Sequence, residues 1–241
     1  MNIQPLQQFI VKNIVPLNLW GMDISITNSS LFMLITTGLV TLFLMAAFWR
    51  PAVAPSRLQA LAEWPFDMVG TTIKETNGMG GMPFVSLLTS VFLFVCVGNA
   101  LGLVPFSFTF TSQLAVNVVL GLVVIGAITV FGFVRQGRGF LSLFMPSGVP
   151  AWVLPVLIPV EVVSYFLRPI SLAMRLFANM VAGHCVLKIC AYFTVAMGLY
   201  GALPMVANTV LLGFELFIAF LQAYVFVILS CIYLNDALHQ H

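Results

Sequence analysis

Charged side chains are scarce in this sequence. Lys and Arg number 9 and Asp and Glu number 7, which is 7% of the 241 positions, whereas 61% of the positions are hydrophobic. A water-soluble domain of this length needs far more charge on its surface, so a soluble fold is excluded. The net charge of +2 is also too small to indicate a nucleic-acid partner. The composition is that of an integral membrane protein.

Cysteine and histidine are equally sparse, which limits metal and cofactor chemistry. The cysteines occur singly in apolar runs, without Cys-x-x-Cys spacing, at Cys96, Cys185, Cys190 and Cys231. This pattern is typical of buried thiols. Only one histidine, His184, falls within a long apolar run, so a pair of axial histidine ligands for an intramembrane haem is lacking. We therefore expect no cofactor and no metal.

Long hydrophobic runs are abundant. A helix needs about 20 apolar residues to cross a hydrocarbon core about 30 Å thick. Five runs meet this requirement: residues 30–49, 84–105, 113–134, 161–197 and 204–234. The last two would be about 45–55 Å long as helices, so they must tilt steeply or project from the membrane. We predict a single all-α integral membrane domain over residues 1–241, whose last two helices form a long tilted hairpin.

The loops between the spans predict a surface helix and an orientation. Residues 55–78 mix charged residues with Leu, Trp, Phe and Val, as an interfacial amphipathic helix does. Basic residues follow the first and third spans, at Arg50, Arg57, Arg135 and Arg138. The positive-inside rule places these loops on the cytoplasmic-type side. With five spans, the N terminus is expected outside and the C-terminal tail inside.

A small set of polar side chains interrupts the apolar spans. An arginine at the centre of a membrane helix costs about 2.5–3.5 kcal/mol, so it persists only with compensation or a function. Arg175 is such a residue, and no acid lies within two helical turns of it along the chain. The other polar residues at these depths are Glu161, Arg168, His184, Lys188, Glu215, Asn99, Asn179, Asn208 and Gln222.

Helical spacing arranges most of these residues in two stripes. The first lies on the fourth span, is interrupted by Pro169, and consists of Glu161, Arg168, Arg175 and Asn179. The second recurs every seven residues on the fifth span and consists of Asn208, Glu215 and Gln222. His184 lies about 180° around the helix from Arg175, so the imidazole and the guanidinium face different surroundings.

An antiparallel hairpin of the last two spans would bring polar residues together at two levels. Its register places His184 opposite Glu215 nearer the outer face, and Arg175 opposite Gln222 near the middle. An imidazole titrates near neutral pH and burial shifts a carboxyl group toward the same range, so the outer pair can pass protons. An arginine keeps its proton and blocks a relay electrostatically.

These residues predict a proton path that is interrupted at Arg175. Glu161, nearer the inner end of the same helix, is placed to receive protons on the other side of the block. Arg175 has no acid beside it in the sequence, and we interpret this as the sign of a partner carboxylate on a moving neighbour.

Three stretches of the sequence resemble subunit a of the F-type ATP synthases. They are RPISLAMRLFANMVAGH at 168–184, FELFIAFLQAYVFVILSCIYLNDA at 214–237 and GNALGLVPFSFTFTSQ at 98–113. The resemblance covers most of residues 83–237, whereas the first 80 residues agree in layout more than in wording. It implies five spans and a surface helix, with the last two spans against a ring of c subunits.

The resemblance also implies roles for individual residues. Protons would enter by an outer half-channel and leave by an inner one, and Arg175 corresponds to the essential arginine that meets the ring carboxylate and prevents a leak. The other correspondences are Asn179 and Gln222 beside the arginine, His184 and Glu215 in the outer half-channel, Glu161 on the inner side and Asn99 in the GNxxGLxP helix. Asn208, from the second stripe, completes the predicted path.

One exchange distinguishes this sequence within the family. Many bacterial members carry an acid at the position of His184 and a histidine at the position of Glu215, and the order found here resembles the mitochondrial and related bacterial branch. Either order supplies one imidazole and one carboxylate, as a shared proton site requires. The implied partners are the c-subunit ring, a b-type peripheral stalk, other ATP synthase subunits and lipid. The implied location is a bacterial inner membrane or the mitochondrial inner membrane, with the ATP chemistry elsewhere in the complex.

Other interpretations of the sequence stay open. A proton-coupled secondary transporter would use Arg175 to bind an anionic substrate, although an inverted repeat is lacking. A structural role for Arg175, or a plain interhelical hydrogen bond between His184 and Glu215, also fits the pattern. Transport of sodium is open as well, because sodium-moving family members hold the ion on the ring. An intramembrane protease is disfavoured because the aspartates lie outside the spans, at Asp23, Asp67 and Asp236.

Overall fold

Helices make up nearly all of the chain that the structure describes. A computed structural model of the protein describes residues 9–16, 18–19, 22–23, 25–104, 107–137 and 153–238. The helices are α1 (Asn28–Ala47), α2 (Arg57–Asn77), α3 (Val85–Gly102), α4 (Leu114–Gln136), α5 (Leu154–Ala196) and α6 (Ala202–Leu238). Turns of 3₁₀ helix follow α2, precede α4 and join α5 to α6, at Gly78–Phe84, Phe110–Ser112 and Gly198–Gly201. The all-α class predicted from the sequence is confirmed.

Within the described residues, five helical stretches are long and apolar enough to cross a membrane. Most bounds lie within three residues of the prediction, but α5 begins at Leu154 and α6 continues to Leu238. The earlier start of α5 arises because Pro155 stands in its first turn, where the missing N–H has no helical partner to lose. Residue 105, which ends the second predicted span, and Arg138 lie outside the described residues.

The last two helices form a long antiparallel hairpin. With 43 and 37 residues, α5 and α6 are far longer than a bilayer crossing requires, about 65 and 55 Å at 1.5 Å per residue. The turn between them needs glycine, since Gly198 has a φ of +53° and a Cβ on Gly201 would lie 2.2 Å from the carbonyl oxygen of Thr194.

The hairpin packs against α3 and α4. Helix α6 contacts α3, α5 contacts α4, and α2 contacts both α3 and α6. Small residues permit close approach, because a Cβ on Gly121 of α4 would lie 3.1 Å from the carbonyl oxygen of Pro169 on α5. Large side chains in the shared core include Phe92 of α3, Leu176 of α5 and Phe226 of α6.

Helix α2 has one face on this core and one face away from it. Ala62, Val69 and Ile73 are buried, whereas Trp64 and Lys74 are exposed. This two-sided pattern is that of the amphipathic helix predicted for the region.

Two short β-pairs, which the sequence did not predict, precede α1. Strand β1 (Asn13–Val15) pairs antiparallel with β4 (Ile26–Thr27), and β2 (Asn18–Leu19) pairs with β3 (Met22–Asp23). The Asn28 amide ties this segment to the start of α1, because Nδ2 donates to the carbonyl oxygen of Ile10 and Oδ1 accepts from the backbone N–H of Lys12.

The cysteines are less buried than the sequence predicted. All four are free, and Cys231 is fully buried. The other three are half-buried, and Cys96 packs against the hydrophobic core.

Candidate functional site

The structure brings His184 of α5 and Glu215 of α6 together. His184 Nε2 lies 3.9 Å from Glu215 Oε1, and the two side chains are 11% and 8% exposed. Both carboxyl oxygens of Glu215 are buried without a hydrogen-bond partner among the described residues. A buried carboxyl group without a hydrogen-bond donor is costly in its ionised form.

A glycine makes room for this carboxyl group. A Cβ on Gly183, the residue before His184, would lie 2.5 Å from Glu215 Oε1. Real Cβ atoms do not approach an oxygen so closely, so any larger residue at position 183 must displace the Glu215 side chain.

Thr109, which sequence reasoning missed, is a direct neighbour of His184. Its Oγ1 lies 3.0 Å from His184 Nε2 and 3.3 Å from the carbonyl oxygen of Gly102. The ring of Phe9 meets the imidazole edge-on, with centroids 6.2 Å apart, and Gln113 Nε2 donates to the carbonyl oxygen of Phe9. A threonine in a loop carries no periodic signal that would have identified it.

A cavity of about 240 Å³ lies between α5 and α6 beside Glu215. Asn179, Gly183 and Glu215 line it together with apolar residues of both helices. Since one water takes about 30 Å³ of liquid volume, there is space for several water molecules next to the carboxyl group. The cavity thus links Asn179 of the first polar stripe with Glu215 of the second.

Arg175 is bonded to none of these residues. It lies midway along α5, its side chain is exposed, and it makes no hydrogen bond or ion pair with any described residue. All residues of α5 and α6 are described, and Arg175 is the one charged side chain in these helices that is exposed. Among its same-face neighbours within one turn of α5, Ser171 and Ala178 are exposed and Asn179 is half-buried.

Gln222 does not bond to Arg175, although the hairpin register places them at similar heights. Gln222 is only 5% exposed, and its Nε2 has no partner among the described residues. The two side chains diverge because one lies on the buried face of α6 and the other on the exposed face of α5.

The remaining predicted residues are spread along the bundle. Asn99 is fully buried on α3, and its Nδ2 donates over 3.4 Å to the carbonyl oxygen of Ala219, one turn from Glu215. Asn208 has a buried Oδ1 without a partner among the described residues. Glu161 is half-buried near the start of α5 and has no ion pair within the described part of the chain.

Arg168 of the first stripe has a partner that the sequence analysis placed outside the spans. Its Nη1 lies 3.0 Å from Asp236 Oδ2, and its guanidinium lies between the rings of Tyr165 and Tyr233, with its Cζ 5.3 and 5.0 Å from their centroids. Asp236 is in reach because α6 extends beyond its predicted end. Arg168 and Arg175 therefore have different surroundings despite their shared stripe.

These features define a multi-pass helical membrane protein with ionisable side chains concentrated on two long antiparallel helices. Residues 30–235 match the family model described as ATP synthase A chain. The chain is 43% identical to ATP synthase subunit a of Rhizobium meliloti (strain 1021), 44% to that of Rhizobium etli (strain CIAT 652) and 45% to that of Allorhizobium ampelinum. Each alignment covers 99% of this chain and 98% of the relative. The chain therefore belongs to the ATP synthase subunit a family, with a role in the membrane sector of an F-type ATP synthase.

Proposed function

We propose that this chain is the proton-conducting stator of that membrane sector. Protons pass through an outer half-channel to a carboxylate on a rotating c-ring and leave it through an inner half-channel. Arg175 prevents direct passage between the two. The chain makes no covalent bond itself, and ATP is formed or hydrolysed elsewhere in the complex.

The exposed position of Arg175 carries this proposal. An exposed guanidinium midway along a membrane-spanning helix, unpaired among the described residues, is costly in lipid and is stabilised by a counter-charge from outside the chain. A carboxylate on a neighbouring membrane subunit supplies such a charge. Because the guanidinium stays protonated, it can attract each passing carboxylate without relaying a proton.

The cluster around Glu215 supports an outer half-channel. His184 and Glu215 are one imidazole and one carboxyl group 3.9 Å apart, beside a cavity that reaches Asn179. An imidazole and a carboxyl group side by side can exchange a proton. Gln222 continues the same face of α6 two turns further along the helix, and Asn208 precedes Glu215 by two turns.

The inner half-channel is assigned to the other end of α5. Glu161 lies there, seven residues before Arg168 and its ion pair with Asp236. Arg135 lies in the last turn of α4, which leads toward the start of α5. The positive-inside rule predicts that this end of the two helices lies on the cytoplasmic-type side. We place the chain with a c-ring and a b-type stalk in a bacterial inner membrane or a mitochondrial inner membrane.

A reconstitution experiment distinguishes a stator from a carrier. Vesicles that contain the assembled complex should show proton flux coupled to ATP synthesis, and vesicles that contain this chain without the ring should show no flux. Flux that depends on an added anionic substrate and needs no ring would instead support a secondary transporter.

Substitution of Gly183 by alanine tests the position of Glu215. The new Cβ would lie 2.5 Å from Glu215 Oε1, so the carboxyl group must move. Since a displacement of about 1 Å can cost about 100-fold in rate, we expect ATP-driven proton pumping to fall by about tenfold or more. The matched control is Gly126→Ala on α4, where no atom lies within 4 Å of the added Cβ. Equal pumping by the two variants would contradict the placement of Glu215 in the path.

A further inference from the structure

We propose that the hydroxyl group of Thr109 positions the imidazole of His184 and keeps its Nε2 atom hydrogen-bonded both before and after a proton passes to Glu215. This inference rests on the proposed proton path and adds a positioning residue to it. Thr109 belongs to the connection between α3 and α4, and His184 to α5, so the contact joins distant parts of the chain.

The surrounding backbone fixes Thr109 in place. The residue is 5% exposed, and its carbonyl oxygen accepts hydrogen bonds from both the backbone N–H and the hydroxyl group of Ser112, over 3.1 and 2.6 Å. A Cβ on Gly102 would lie 2.4 Å from Thr109 Oγ1. Only glycine at position 102 therefore allows the hydroxyl group to lie where it does.

A hydroxyl group can serve both protonation states of the imidazole. It carries one proton and two lone pairs. When Nε2 carries a proton, Thr109 Oγ1 can accept a hydrogen bond from this N–H and donate one to the carbonyl oxygen of Gly102, 3.3 Å away. When Nε2 has lost its proton, rotation about the Cβ–Oγ1 bond lets the hydroxyl group donate to Nε2, 3.0 Å away. A methyl group in its place serves neither state.

The proton in question moves between His184 and Glu215. The N–H bond at Nε2 breaks, an O–H bond forms at Oε1, and an imidazolium and a carboxylate become a neutral imidazole and a neutral acid. At 3.9 Å the two atoms are too far apart for a hydrogen bond, so they must approach by about 1 Å. The single Nε2–H must turn from Thr109 Oγ1 toward Glu215 Oε1 for the transfer, and the hydroxyl group of Thr109 then donates to the Nε2 lone pair that is left.

Few charges face this imidazole. Glu215 approaches it from α6, and Lys188 acts on it from the next turn of α5. The described residues 107–113 of the α3–α4 connection contain no ionisable side chain, and Phe9 presents an uncharged ring. A change in the pH dependence of proton flux after substitution of Thr109 would therefore report on its hydrogen bond to His184.

The test uses the assembled complex in vesicles and measures ATP-driven proton pumping across pH. The variants are Thr109→Val, which is nearly isosteric, Thr109→Ser, which keeps the hydroxyl group, and Thr111→Val as the matched control. Thr111 lies two residues away, is 1% exposed, and has an Oγ1 without a partner among the described residues.

We expect Thr109→Val to lower pumping about fivefold, as the loss of one hydrogen bond implies, and to shift the pH profile. Thr109→Ser should restore most of the rate, and Thr111→Val should match the wild type in both rate and profile.

Two results separate failure of this inference from failure of the proposed function. If Thr109→Val matches Thr111→Val in rate and profile while Glu215→Gln in the same preparation blocks pumping, the role of Thr109 is overturned and the path stands. If Glu215→Gln also pumps normally, the proposed function itself fails. Should Thr109→Val not assemble, Thr109→Cys replaces it, because a thiol is a weak donor and a weak acceptor. An unchanged pH profile for that variant would equally overturn the inference.

Discussion

Complexes that carry Arg175→Ala lose coupled ATP synthesis and conduct protons passively. Arg175 is the one exposed charge of α5 and α6, so in the proposed mechanism its removal leaves no positive charge to hold the ring carboxylate in its ionised form. A protonated carboxyl group can then pass between the half-channels in either direction. Removal of a preorganised charge typically costs about 100- to 1,000-fold, so we expect synthesis to fall at least about 100-fold. ATP synthesis and proton conductance are measured in the same vesicles.

Two further variants separate charge from structure. Arg175→Lys keeps a positive charge but loses the planar fork of the guanidinium, so it should block the leak partly and restore little synthesis. Arg50→Ala removes an exposed arginine just after α1 and should leave both activities within about twofold, as surface substitutions usually do. Substantial coupled ATP synthesis by the Arg175→Ala complex would contradict the proposal and would show that Arg175 has a structural role only.

Glu215→Gln produces the opposite combination, with slow flux and no leak. The amide has nearly the same shape as the acid but cannot take up a proton from His184, 3.9 Å away. Loss of a positioned acid–base group commonly costs about 100-fold or more, and we expect proton pumping and ATP synthesis to fall together by about that factor. The measurement is pumping and synthesis at saturating substrate, with the amount of assembled complex determined for each variant.

The control for this variant is Glu75→Gln, the same chemical change at an exposed residue of α2. It should retain wild-type pumping. If the His184–Glu215 contact were only an interhelical hydrogen bond, the amide of Glu215→Gln would still bond to the imidazole and pumping would persist. If Glu215→Gln pumps protons as fast as Glu75→Gln, Glu215 is not part of the proton path.

The sequence predicted the helices and the pairing of the hairpin well, because both depend on local patterns. Apolar runs mark membrane helices, since backbone groups in lipid must bond within their own segment. The antiparallel register of two long helices then follows from their short connection, and it places His184 beside Glu215 as the structure does. The exposed position of Arg175, by contrast, depends on which face of α5 packs against α4.

Contacts that depend on tertiary packing were not predictable in this way. Thr109 reaches His184 only because residues 107–113 fold back over α5. The apolar pattern places Asp236 outside the predicted spans, yet its ion pair with Arg168 lies within the extended α6. Helical spacing places Arg168 and Arg175 in one stripe of α5. It does not show that Arg168 is paired and Arg175 exposed, because a long side chain can turn toward a partner on another helix.

The most direct test of the two half-channels is the passive proton conductance of a double variant. Arg175→Ala and Arg175→Ala/Glu215→Gln are compared in vesicles that hold equal amounts of assembled complex under the same imposed potential. If Arg175 separates the half-channels and Glu215 lies in the outer one, the single variant leaks and the second substitution closes the leak. Equal leaks in the two variants would show that protons bypass Glu215, which contradicts the proposed path.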